Sequence, residues 1–351
     1  MQKNAREVEF SDIVNATSPR FLRHLLADLR SVLGLSSTPS ISQAYLITPR
    51  FSSVFKITLA STNGPLTIYL KLPRINKNNP EEAKTRIRTE YDTMSLLHSK
   101  QTDVRYGVAR PLIFYRDPPA LVTLQAAGQS LAAYLSGGLS WAAKINHQRK
   151  KAAFLALERC AEWLNSFQEI TKLNAPSEYD GTELLKYIHR RLILLEQADG
   201  NAYPERFRDK VMAHLESSLS NACKEGLVLA GRHNDFASHN IIMDDKRLSV
   251  IDFTMFDYGP VQCDASSLWF ELEIMKSDPR YPKDSVTTMQ QIFLDTYGRS
   301  KIDNGVFAVA LTRHVVLRLL GSIDRPGRWD ISFWYWRSVR RQCNTWLHSL
   351  T

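Results

Sequence analysis

The 351 residues carry 45 Lys and Arg against 36 Asp and Glu, a net charge of +9, with 44% hydrophobic and 23% charged residues. These proportions are those of a globular protein and exclude a chain disordered throughout. The positive excess favours anionic ligands such as phosphates, nucleic acid or an acidic membrane face. No stretch reaches the ~18 uninterrupted apolar residues of a membrane span. The best candidate, Val306 to Leu320, is broken by Arg313 and His314. Met1 to Phe10 carries charge and amide where a secretory signal needs an apolar core, so the cytoplasm is expected. Cys160, Cys223, Cys263 and Cys343 lie far apart without a C-x-x-C pair, which points to reduced thiols rather than a zinc site or disulfide framework.

No fixed-period repeat is present, which excludes solenoids and propellers. Ser18-Pro19 opens an amphipathic helix with Phe21, Leu22, Leu25, Leu26, Leu29, Val32 and Leu33 at helical spacing, stopped by Gly34. From Ala44 to Leu72 the texture is strand-like: Val54 to Leu59 and Leu66 to Leu72 flank Asn63-Gly64, a tight-turn dipeptide, and predict a hairpin. Asn79-Pro80 followed by Glu81 and Glu82 opens a helix to about Lys100. Short strands are predicted at Leu112 to Tyr115 and Ala120 to Leu124, around the turn Asp117-Pro118-Pro119. Beyond Gly128 helical periodicity dominates, at Ala152 to Ile170, Glu183 to Gln197, Pro204 to Leu219, Ala265 to Met275, Ser285 to Tyr297, Val306 to Leu320 and Ile331 to Leu347. One island of strand and turn character, Leu227 to Tyr258, interrupts these helices.

Within the island, Ile241 to Met243 and Leu248 to Ile251 form a small hairpin through Asp244-Asp245-Lys246-Arg247, expected to bring Asp235, Asn240 and Asp252 together at its mouth. An Asp and an Asn five positions apart, with a second Asp delivered by the returning strand, supply hard oxygen ligands of low total charge. Mg2+ that also holds phosphate oxygens prefers such a set. Asp235 is then left to orient a substrate hydroxyl and accept its proton.

His233-x-Asp235-x-x-x-x-Asn240, followed twelve residues later by Asp252-Phe253, resembles the catalytic loop and metal-binding Asp of the protein-kinase-like fold. The run Asp257-Tyr-Gly259-Pro260-Val-Gln-Cys-Asp264 makes the aminoglycoside phosphotransferase and choline kinase branch the best match. The resemblance covers roughly 44–275 and implies a bilobal α+β fold. Its expected parts are an N-terminal extension at 1–43, a small antiparallel-sheet lobe at 44–127, and a mainly helical lobe at 128–351 holding the catalytic loop at 231–253. It also implies ATP and Mg2+ as cofactors, with Asp235 as catalytic residue and Asn240 and Asp252 as metal ligands. Lys71, on an otherwise apolar strand where an unpartnered charge is costly, would meet the nucleotide phosphates with Glu90 as its counter-ion. Asp264 is expected to be an N-cap and loop anchor, His233 to pin the loop, and His239 to face solvent.

Ser52 and Ser53, in Thr48-Pro49-Arg50-Phe51-Ser52-Ser53, occupy the position of the phosphate-covering turn, with Arg50 in reach of a phosphate. The stretch 121–128, including Thr123 and Gln125, fills the slot of the adenine-binding hinge. The sequence departs from the pattern at Asn234, where the branch commonly has glycine, and in lacking glycine at 50–53. Ala237 replaces the lysine typical of eukaryotic serine/threonine kinases and favours small-molecule substrates. The expected activity is phosphorylation of a hydroxyl on a sugar, an aminoglycoside-like amino sugar or an amino alcohol. The alternatives are a catalytically silent nucleotide-binding or scaffold protein and, third, a protein kinase. Arg325, Arg328, Arg337, Arg340 and Arg341 interleave with Trp329, Phe333, Trp334, Tyr335, Trp336 and Trp346. This segment reads as a closing helix, with peripheral contact to an anionic membrane as the competing reading. No nucleic-acid module accompanies the charge.

Overall fold

The computed structural model describes residues 6–47, 52–62, 64–75, 80–139, 147–173, 179–302, 305–323 and 331–351. The turn residue Asn63, the helix-entry Asn79, the stretch Thr48 to Phe51 with Arg50, and Arg325, Arg328 and Trp329 lie outside them. The first elements are β1 Arg6–Glu7, α1 Phe10–Ala16, α2 Pro19–Val32, β2 Ser40–Ile47, β3 Ser52–Ala60 and β4 Leu66–Pro73. They are followed by α3 Pro80–Lys100, β5 Tyr106–Val108, β6 Pro111–Arg116, β7 Pro119–Leu124 and β8 Gln129–Ser130. Next come α4 Leu131–Leu139, α5 His147–Ile170, α6 Thr182–Ala198, α7 Glu205–Glu225 and β9 Leu229–Arg232. The chain continues with β10 Ile241–Met243, β11 Leu248–Val250, β12 Asp257–Pro260, α8 Gln262–Met275, α9 Lys283–Tyr297, α10 Val306–Ile323 and α11 Ile331–His348. Contacts divide the chain into two units, 1–128 with 242–256, and 129–241 with 257–351.

In the first unit six strands form an antiparallel sheet in the order β1-β2-β3-β4-β7-β6. Ser18 caps α2 by accepting the Phe21 N–H at 3.0 Å, as the Ser-Pro entry predicts. Phe21, Leu22, Leu25 and Leu29 then bury against Phe55, Ile57, Leu59, Ile68, Leu70 and Val122 of the sheet. The leader helix therefore completes the core of the sheet. Side chains alternate between the faces of a strand. With Ile68, Leu70 and Leu72 in that core, Lys71 projects to the opposite face, where its ammonium meets Glu90 of α3. The central position of β4, with Lys71 opposite Val54 on one side and Leu121 on the other, fixes this register. A separate small sheet pairs β11 in parallel with β5 and places β10 beside β11. Gly128 has φ +104°, and a Cβ on it would stand 2.1 Å from the Met243 carbonyl oxygen.

In the second unit α6, α7, α10 and α11 bury Ile188, Leu192, Val211, Leu215, Val315, Leu319, Val339, Cys343 and Leu347 in one cluster. Trp163 of α5 stacks on Phe167 at 5.1 Å and on Phe236 at 5.4 Å, tying the loop after β9 to the helical core. The helix α10 is long and apolar enough to cross a membrane, yet half of it is buried in the fold. The C-terminal helix supplies no support for membrane contact. Tyr335, Trp336 and Trp346 pack on the helical core, Trp346 Nε1 donates to Thr312 Oγ1 at 3.2 Å, and Arg340 donates to the Ser322 carbonyl. The closing-helix reading holds for the described part of this segment, with Trp334 exposed.

The close approach at Gly128 yields the first prediction. Gly128→Ala combines an unfavourable positive φ, worth roughly 1–3 kcal/mol, with displacement of the Met243 carbonyl. A loss of unfolding free energy of that size in urea denaturation is expected, and unchanged stability would contradict the packing of β10 under this turn.

Candidate functional site

Two polar clusters gather the residues singled out by the sequence, one in each unit. In the first, the Lys71 ammonium donates to Glu90 Oε1 and Oε2 at 3.0 and 2.8 Å, to Asp252 Oδ1 at 2.7 Å and to Thr254 Oγ1 at 2.6 Å. Glu90 is 2% exposed, in the middle of α3. Burial opposes the charge on Lys71, but the carboxylates of Glu90 and Asp252 outweigh it and hold its pKa above the usual lysine value. Burial pushes the Glu90 carboxyl upward, against the pull of Lys71. Asp252 adopts φ 68°, a left-handed conformation that Asp tolerates better than most residues. The Thr254 hydroxyl lies 3.0 Å from Glu90 Oε2 and 2.6 Å from Asp252 Oδ1 and donates its one hydrogen to either carboxylate. Sequence reading missed this threonine; its signal is the hydroxyl two residues beyond the metal-type Asp in a run that is otherwise largely apolar.

Of the remaining first-unit positions, Ser52 is buried and Ser53 half-buried at the start of β3, opposite Pro73 and Leu72. Neither hydroxyl is hydrogen-bonded to another described residue. Thr123 sits on β7 opposite Tyr69, two residues from the Leu121 that pairs with Lys71. Gln125 follows the strand, and its backbone N–H donates to the Thr67 carbonyl at 2.9 Å, so that amide is engaged within the sheet.

The second cluster is the loop after β9. Asn240 Nδ2 donates to the Asp235 carbonyl at 3.0 Å and to Asp235 Oδ2 at 2.9 Å, fixing both side chains. The Asp235 N–H donates to Nδ1 of the fully buried His233 at 3.3 Å. His239 is half-buried rather than turned to solvent, its Nε2 lying 3.8 Å from Asp235 Oδ2. Asp264 accepts the N–H groups of His233 and Asn234 at 2.7 and 2.8 Å. It is the loop anchor expected, but it sits inside the first turn of α8 and the N-cap position is Val261. Burial pushes its carboxyl up to about 6, against the pull of the two amide donors.

Seven residues later on the same face of α8, Glu271 accepts the Ser238 N–H at 2.7 Å and its hydroxyl at 2.6 Å. Asn234 has φ 61°. Its side chain donates to Asp257 Oδ1 at 2.7 Å and accepts from Arg313 at 3.2 Å, while Arg232 clamps Asp257 through two bonds of 2.8 Å. The departure from glycine thus keeps the left-handed backbone and adds a polar bridge. Asp257, Glu271 and Arg313 were not assigned roles from sequence, because their signal lies in tertiary contacts.

The donor chemistry fits a hard divalent cation. Asn240 Oδ1 accepts no hydrogen bond from a described residue, and Asp252 presents a carboxylate whose side chain is 44% exposed. Each is a hard oxygen donor of the kind that Mg2+ takes.

The model of the phosphotransferase enzyme family matches residues 52–298. The chain belongs to this family. It is a phosphotransferase, with a kinase-like fold. The solved structure of choline kinase LicA from Streptococcus pneumoniae is similar at 13% identity and TM-score 0.53, over 94% of this chain and 99% of that one. A thermostable mutant of aminoglycoside phosphotransferase APH(4)-Ia, in ternary complex with ADP and hygromycin B, is similar at 11% identity and TM-score 0.55, over 94% and 97%. A glucosamine kinase is similar at 12% identity and TM-score 0.52, over 93% and 99%. No curated protein sequence matches the chain.

Two predictions follow from these clusters. Lys71→Met leaves Glu90 buried without its cation, which costs about 3–5 kcal/mol; adding Glu90→Gln should recover more than half in urea denaturation, and additive losses would contradict the coupling. Asp264 binds its proton more tightly folded than unfolded, where its pKa is ~4. Its contribution to stability is therefore complete below about pH 4 and lost as pH rises through about 6. The stability advantage of the native chain over Asp264→Asn should narrow from pH 4 to 7 in thermal denaturation; a constant gap would show that burial does not govern this carboxyl.

Proposed function

We propose that the chain transfers the γ-phosphoryl group of ATP, with Mg2+, to a hydroxyl of a small molecule. The observation that carries this reading is the buried Lys71 ammonium held by Glu90 and Asp252. A lysine so fixed presents one positive charge in a defined place, which is what orienting nucleotide phosphates requires. Asn240 and Asp252 would hold the metal, whose chemistry is to bridge and neutralise phosphate oxygens. Asp235, its carboxylate aimed by Asn240, positions the acceptor hydroxyl and takes its proton as the new bond to phosphorus forms. Ser52 and Ser53 would cover the phosphates, their hydroxyls lacking partners within the described fold, and the backbone around Thr123 and Gln125 would face the base.

The names of the similar structures, a choline kinase, a glucosamine kinase and an aminoglycoside phosphotransferase, support a small polyhydroxylated or amino-alcohol acceptor. The four free cysteines suit a reducing compartment, and we place the protein in the cytoplasm.

Asp235→Ala should lower ATP-dependent transfer at least ~1000-fold, with the thermal stabilisation by Mg–ATP retained, in keeping with the loss of a positioning base. Asp252→Ala should remove the magnesium-dependent part of that stabilisation. Turnover unchanged in either variant would overturn the assignment. Stabilisation by nucleotide without ATP consumption over a broad acceptor panel would instead favour a silent nucleotide-binding protein.

A further inference from the structure

Arg191 of α6 and Arg313 of α10 share one tyrosine ring. The Arg191 guanidinium carbon lies 3.2 Å from the Tyr187 ring centroid and that of Arg313 lies 5.1 Å from it. Arg191 also donates to the Tyr187 carbonyl at 3.2 Å. Both arginines are half-buried, and among the described residues neither forms an ion pair with a carboxylate. The acids that are near in the chain are engaged elsewhere. Glu183 and Glu196 of α6 pair with Lys186 and Arg208, Asp257 is held by Arg232, and α10 contains no Asp or Glu. Two guanidinium groups packed on one ring repel each other: burial first, and the charge of Arg313 with it, push Arg191 below its usual pKa. Partial burial of two cations that pair with no carboxylate among the described residues is costly, and an oxyanion relieves it. The pair lies beside the proposed catalytic loop, since Arg313 donates to Asn234 Oδ1, on the residue that precedes Asp235.

We infer that the acceptor carries an oxyanion, a phosphate or carboxylate, in addition to its hydroxyl, and that Arg191 and Arg313 bind it. Guanidinium is the side chain suited to planar, two-point recognition of both groups. Both guanidinium groups pack against the Tyr187 ring, which gives them a common support. An amino sugar or amino alcohol would bring a further cation to this patch, so these two acceptor classes are disfavoured relative to sugar phosphates and sugar acids. The inference rests on the phosphotransfer reading for the part of Asp235, and the experiment separates the two.

Full-length protein is assayed for ATP consumption with glucose 6-phosphate and glycerol 3-phosphate as phosphate-bearing probes, gluconate as carboxylate probe, and glucosamine and choline as amine probes. Transfer to a phosphate or carboxylate probe is expected. Arg191→Gln and Arg313→Gln should raise its KM at least tenfold with a much smaller change in kcat, and Arg191→Lys should restore part of the loss. Thermal stabilisation by the same probe with Mg–ADP present should disappear in the Gln variants. Transfer to glucosamine or choline but to no anionic probe would overturn the inference and leave the phosphotransfer reading standing. Arginine-dependent stabilisation by an anionic probe without any transfer would support the anion site and count against that reading. If the Gln variants fail to fold, Arg191→Lys alone decides: a KM equal to that of the native chain would overturn the inference.

Discussion

A lysine buried on the central strand of a sheet has to be neutralised where it stands, and the rest of the first unit is arranged around that requirement. Lys71 alternates with Leu70 and Leu72, both in the apolar core, so it faces the opposite side of the sheet, where 14% of its side chain is exposed. Glu90 supplies one carboxylate from the middle of α3 and Asp252 supplies another from beyond β11, with Thr254 bridging them. Two carboxylates on one ammonium are more than electrical balance requires. The surplus negative charge is placed on Asp252, which is half-exposed while Glu90 is buried. A cation would be met by the accessible carboxylate, and the inaccessible one holds the lysine in place. This division of labour, one acid structural and one available, is set by depth alone.

The loop after β9 solves a different problem. A loop that must hold Asp235 half-exposed has few backbone bonds of its own, and its rigidity comes from acids borrowed from elsewhere in the unit. Asp264 ties down two successive amides, Glu271 ties down Ser238, and Asp257 ties down Asn234. Phe236 fills the core beside Trp163. Such over-determination is what allows Asn234 to be held in a left-handed conformation that costs a non-glycine residue about 1 kcal/mol or more.

Much of this was legible in the chain. The Ser-Pro entry of α2, the alternating pattern of β4 and the spacing from Asp235 to Asn240 to Asp252 depend on local chemistry, and each of the three leaves a signature readable within one short stretch of chain. The short strands β5 and β8 were not foreseen, because two or three residues carry no periodicity and are defined by their partners, and the seven residues of α1 span only two turns. Asp264 shows the limit more finely. Its type and position pointed to a loop anchor, but whether it stands before the helix or inside its first turn is decided by packing that burial of the whole turn imposes. Glu271 and Arg313 leave only a weaker trace. Their partners are 33 and 79 residues away, and no local pattern distinguishes them from surface charges.

Asn234 connects the loop's geometry to the question of what it acts upon. Glycine at this position would satisfy the backbone equally well and would leave Asp257 and Arg313 without the amide that joins them. Because an amide can both donate and accept, Asn234 accommodates an acid on one side and a cation on the other, which no other residue tolerant of the left-handed region does as well. Asp would repel Asp257, and glycine would reach neither. The cation held on the accepting side belongs to the Arg191–Tyr187–Arg313 stack, so the conformation of the loop after β9 and the placement of positive charge beside it are set by the same side chain. A change at Asn234 therefore alters how Arg313 is held beside this loop.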